Sequence, residues 1–141
     1  MTEINYDKFR DSLARLQERY NDYLSSKNDI ALEGFLAESI QESCIQRFET
    51  CFDTTWKHLK KYLEEEGIVE IPNSPKSIFR IAAENKTIED AESWIDYVNK
   101  RIATSHDYCG DKADTTLEII SDFITDAIGL YETMSGRKWE K

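Results

Sequence analysis

Residues 44–63 read CIQRFETCFDTTWKHLKKYL, and apolar side chains recur through them every three or four positions, at Phe48, Phe52, Trp56, Leu59 and Leu63. That period lines one side of an α-helix. The stripe continues upstream through Leu32, Leu36 and Ile40, and a separate one runs through Phe9, Leu13, Leu16, Tyr20 and Leu24. No proline interrupts the first 71 residues. The pattern predicts two antiparallel helices, one over about residues 5–26 and one to about residue 65, with Asn28 or Asp29 as the cap of the second. At the helical rise per residue the second would be roughly 50 Å long, more than a domain of this size needs to cover its core, so it should protrude or curve.

The stretch Gly67-Ile-Val-Glu-Ile-Pro-Asn-Ser-Pro75 breaks the pattern and ends with Ser74 as a cap before Pro75 at a first helical position, which opens a short helix to Glu84. Thr87 with Asp90 has capping-box spacing and predicts a further helix through Ile88, Ala91, Ile95, Val98 and Ile102. Thr104 to Gly110 reads as a turn. Thr115 with Glu118 repeats the capping spacing before Leu117, Ile120, Ile124, Ile128 and Tyr131, and Gly136 follows as a stop. No strand alternation or internal repeat is present. The predicted architecture is all-α, an up-and-down antiparallel four-helix bundle with one short extra helix, and residues 1–141 form a single domain.

Charge narrows the function. Eighteen basic residues against 28 acidic ones leave a net charge of −10, which repels phosphate backbones and anionic membranes at long range. DNA and membranes are therefore not expected partners, and a basic protein surface fits better. No signal-like or membrane-spanning apolar run occurs, so a cytoplasmic location is expected. Cys44, Cys51 and Cys109 form no CxxC pair and have no histidine at zinc spacing. Reduced thiols and no metal are expected, with Cys44 and Cys51 as small buried hydrophobes on one helix face. Nucleotide-binding glycine loops, HExxH, EF-hand and GxSxG motifs are missing, and no cofactor is expected. The carboxylates, such as Glu64, Glu65 and Glu66, read as solvated helix faces.

Of the two histidines, His58 lies inside the long helix and reads as a surface residue. His106 stands in a different setting: Arg101 precedes it by five positions, Tyr108 follows by two, and Ser105 and Asp107 flank it in the turn. With seven arginines and two histidines, R-x4-H arises by chance in roughly one such chain in ten, and the added tyrosine lowers that about twentyfold. On a continuous helix, residues five apart diverge, so Arg101 and His106 converge only if the helix ends near Ala103. A fixed guanidinium grips phosphate in two places, and a histidine titrating near neutrality moves a proton to or from a ribose oxygen. That chemistry is metal-independent RNA cleavage. The same residues also admit a structural reading, in which Arg101 pairs with an acidic neighbour, His106 caps the helix and Tyr108 packs.

The R-x4-H-x-Y run, Trp94 upstream of it, the segment SPKSIFRIAAENKTIEDAESW and the helical plan resemble the nucleotidyltransferase substrate-binding proteins of the HEPN superfamily. The resemblance covers nearly the whole chain and is strongest from Trp56 to Tyr131. It implies a homodimer whose motifs meet in a cleft, and a minimal nucleotidyltransferase, encoded nearby, as partner. In related toxin–antitoxin pairs the HEPN member is a ribonuclease, and the partner neutralises it by attaching AMP to the motif tyrosine. Carried over, Arg101 would hold phosphate, His106 would be the acid or base, Tyr108 would be the modified residue, and RNA or a nucleotide would be the ligand. The position after the motif arginine is usually polar in active members. Here it is Ile102, which weighs against a working nuclease and leaves the pairing role intact.

Overall fold

The computed structural model describes residues 3–29, 31–104 and 110–140. Five helices follow in chain order: α1 (Asp7–Lys27), α2 (Gly34–Glu65), α3 (Pro75–Glu84), α4 (Glu92–Thr104) and α5 (Gly110–Ser135). Helices α1, α2, α4 and α5 form the up-and-down bundle, and α3 is the short extra helix. Among the described residues there is no strand. Every other helix touches α2, which makes the long helix the spine of the molecule.

The apolar stripes account for the packing. Phe9, Leu13 and Leu16 of α1 and Phe48, Phe52 and Leu59 of α2 are buried in one core cluster, and α5 packs against both helices. The centre is aromatic. Phe123 of α5 receives Phe48 edge-on at 5.1 Å, Tyr97 at 5.4 Å and Trp94 at 6.0 Å. Trp94 in turn stacks flat on Phe79 of α3, with centroids 4.9 Å apart. Such contacts add to the burial of large rings. Trp94 is thereby a core residue, whereas Trp56 and Trp139 are half-buried.

Helix ends differ from expectation in three places. α2 opens at Gly34 with Glu33 as its cap position, because the Asp29 carboxylate is spent on a local turn, accepting from the Ala31 N–H at 3.1 Å. α4 opens at Glu92 and not at Thr87; Asp90 Oδ1 accepts from the Ser93 N–H at 3.0 Å, so the acidic member of the pair does the capping. α5 opens at Gly110, and Thr115 lies inside it. The break after α2 is as read. Gly67, at φ +91°, ends the helix in a Schellman motif, with the Ile68 N–H on the Leu63 carbonyl and the Gly67 N–H on that of Glu64.

The stripes also overreach. No described residue from 17 to 43 is buried, so the end of α1 and the start of α2 extend beyond the core as a two-helix arm. Leu24, Phe35 and Leu36 are exposed there, and Leu32, Leu36 and Ile40 line a shallow groove of about 320 Å³.

Candidate functional site

α4 buries Trp94, Tyr97, Val98 and Thr104. Arg101 falls on the same face, seven residues after Trp94 and three before Thr104, so its backbone position aims the guanidinium at α2. A cation sent toward a core needs counter-charge. α2 supplies it from one face, four residues apart: Glu49 and Asp53.

The geometry is a clamp. Arg101 Nε and Nη2 donate to the two oxygens of Asp53, at 3.2 and 3.1 Å, and Nη1 donates to Glu49 Oε2 at 2.9 Å. The Asp53 contact is the two-pronged form that carboxylates and phosphates share. The Thr104 hydroxyl lies 3.0 Å from both Glu49 Oε2 and the Arg101 carbonyl, so a single carboxylate oxygen joins the last turn of α4 at two points. Of the three charged groups Glu49 is the most enclosed, with its side chain 11% exposed against 26% for Arg101 and 37% for Asp53. Among the described residues, two carboxylates face this one guanidinium. The acidic-neighbour reading of Arg101 holds. Ile102, next in sequence, is 55% exposed.

His106 and Tyr108 lie outside the described residues, as does Cys109, so their relation to Arg101 is not described. Sequence reasoning missed Glu49 and Asp53. Their signal was position: a Glu and an Asp one helical turn apart, each directly following a core phenylalanine, Phe48 and Phe52.

His58 corrects the sequence reading. It is buried, not on the surface, because α1 crosses it: Tyr6 and Phe9 pack against its ring at 5.7 and 6.1 Å, and Nδ1 lies 2.8 Å from the Thr54 carbonyl. Cys44 and Cys51 are buried as expected, and burial pushes both thiols up to about 12. A concavity of about 590 Å³ lies where the start of α1 meets the ends of α2 and α5, lined by Tyr6, Tyr62, Glu65, Glu66 and Arg137 among others. Arg101 is not part of its lining. Among the described residues, no group of three or more His, Cys, Asp or Glu is placed to hold a metal, and no helix is long and apolar enough to cross a membrane.

The family described as nucleotidyltransferase substrate binding protein like matches residues 4–136. The chain belongs to that family. It is 28% identical over 103 residues to a Haemophilus influenzae protein named "Probable ribonuclease HepT", covering 71% of this chain and 70% of that one. The fold is that of HI0074 from Haemophilus influenzae, described as having the fold of a substrate-binding domain of a nucleotidyltransferase. The TM-score is 0.83 at 22% identity, over 93% of this chain and 99% of that one. A structure from Thermus thermophilus matches with a TM-score of 0.68 at 28% identity, over 92% and 97% of the two chains.

Proposed function

We propose that this member of the nucleotidyltransferase substrate-binding family is a cytoplasmic, single-domain, homodimeric binding subunit. It docks a minimal nucleotidyltransferase encoded nearby and presents the segment carrying Tyr108 to it. The observation that carries this reading is the state of Arg101. Its guanidinium is engaged by Glu49 and Asp53, which suits a fixed strut beside a partner-facing segment better than a phosphate grip. Exposed Ile102 beside it and the net charge of −10 support a protein partner over a nucleic-acid backbone. The test is co-purification with the neighbouring nucleotidyltransferase, followed by incubation with ATP and intact-mass measurement. A gain of one AMP that Tyr108→Phe abolishes is the expected result; failure of the two proteins to associate would sink the reading.

A second reading is favoured by the name of the Haemophilus relative: a metal-independent ribonuclease using Arg101 and His106, silenced by AMP on Tyr108. RNA cleavage in EDTA that His106→Ala removes would establish it. Absence of cleavage by the unmodified dimer would eliminate it.

A further inference from the structure

We infer that Glu49 and Asp53 are positioning residues of the motif, setting the orientation of Arg101 and of the α4 terminus from which the segment bearing His106 and Tyr108 departs. The inference rests on the reading of R-x4-H-x-Y as a site. Three observations carry it. First, Glu49 is enclosed in a stretch of α2 whose neighbours Phe48 and Phe52 are core residues. A carboxylate there loses hydration, and replacing an enclosed ion pair such as Glu49–Arg101 as a whole by apolar side chains of similar size is often neutral or stabilising. Stability alone does not explain an acid at this position.

Second, the contacts are over-determined for a simple ion pair. Asp53 takes Nε and Nη2 together while Glu49 takes Nη1. The guanidinium plane is thereby held against rotation about both its Cδ–Nε and Nε–Cζ bonds, where one contact would leave it free to swing. Third, Glu49 Oε2 serves Arg101 and Thr104 alike. Thr104 immediately precedes the 105–109 segment, so the same oxygen that orients the motif arginine anchors the residue from which that segment starts. α2 thus contributes half of a site whose sequence signature lies wholly between Arg101 and Tyr108.

The experiment compares the full-length wild type with Glu49→Gln, Asp53→Asn and Asp53→Glu. Nitrogen-15 NMR of the arginine side chains reads restraint directly: a clamped Arg101 shows separate Nη signals, and a mobile one shows a single averaged signal. The expected result is separate signals in wild type that coalesce in Asp53→Asn and return in Asp53→Glu. AMP attachment to Tyr108 at saturating partner should fall roughly tenfold in Asp53→Asn and Glu49→Gln with partner affinity held within about twofold, and Asp53→Glu should recover most of the loss. A merely structural role would move melting temperature and partner affinity together with the rate and would show no such split. An averaged Arg101 signal in wild type, or full modification rates in both neutral variants, overturns the inference. If wild type accepts no AMP at all, the proposed function falls, and the NMR comparison alone decides the positioning role.

Discussion

Tyr97 Oη donates to Asp126 Oδ2 at 2.5 Å, a bond that spans 29 residues and ties α4 to α5 behind the aromatic centre. Tyr97 is otherwise sealed, 4% exposed. Replacing it with phenylalanine keeps the ring packing on Trp94 and Phe123 and removes only the hydroxyl. A hydrogen bond to a carboxylate is worth about 1.5–3 kcal/mol, and a loss in that range is expected in urea unfolding. An unchanged midpoint would show that water replaces the bond without loss.

The same tyrosine governs alkaline behaviour. Burial, and after it the Asp126 carboxylate, push its ionisation well above the usual tyrosine range. Burial chiefly, with Tyr62, Glu65 and Glu66 adding repulsion, lifts Tyr6 to about 12. Both groups hold their protons more tightly when folded than when unfolded. Their contribution is therefore complete below the unfolded value near 10 and drains away as pH rises past it. Stability measured from pH 8 to 11 should fall at the upper end, less steeply in Tyr97→Phe. A flat profile would contradict the raised values.

Arg101 can be probed for stability apart from function. Arg101→Met removes the cation from Glu49, which keeps the Thr104 hydroxyl, and because the guanidinium is a quarter exposed the cost should be about 2–3 kcal/mol, below the ~3–5 of a fully buried pair. Adding Glu49→Met should return much of that loss. A double-mutant cycle showing no coupling between the two positions would mean that Asp53 alone holds the guanidinium.

Phe123 is fully buried and touches rings from α2 and α4. Phe123→Ala should cost about 3–5 kcal/mol, enough to unfold much of the population of a marginally stable domain. Retention of wild-type stability would mean that α5 repacks into the cavity.

Thiol chemistry gives an independent check on the fold. In a Cys109→Ser background, Cys44 and Cys51 should resist a disulfide reagent at pH 8 and react only on unfolding, since both are fully buried with thiols raised to about 12. Rapid labelling of the folded protein would place one of them nearer the surface.

Most of the helical plan was legible because the core period is strong where α2 is buried: Phe48, Phe52, Leu59 and Leu63 all face inward. At Leu24, Leu32 and Leu36 the apolar spacing persists outside the core, in the part of the helix pair that the length of the second helix already marked as protruding, and none of the three is buried. Capping pairs were ambiguous. Thr87 with Asp90 and Thr115 with Glu118 have identical spacing, yet only the Asp90 carboxylate meets a helix start, and Thr115 sits inside α5. His58 looked solvent-facing from its neighbour Lys57, but its surroundings come from α1, 49 residues upstream at Phe9. Glu49 and Asp53 were hidden in the same way: each is an ordinary acid until α4, some 50 positions later, brings Arg101 to it. His106 and Tyr108 were legible only by motif and resemblance, and they fall outside the described residues.

The arm formed by the end of α1 and the start of α2 has a dynamic consequence. With nothing buried between residues 17 and 43 among those described, its helical amides are sustained mainly by contact between two helices, and such regions open without unfolding the whole. Hydrogen exchange should therefore divide α2 along its own length, with fast turnover before Cys44 and slow turnover from Cys44 to Leu63. One continuous helix would breathe at its tip while its other half, including the carboxylates that hold Arg101, exchanges only with the core.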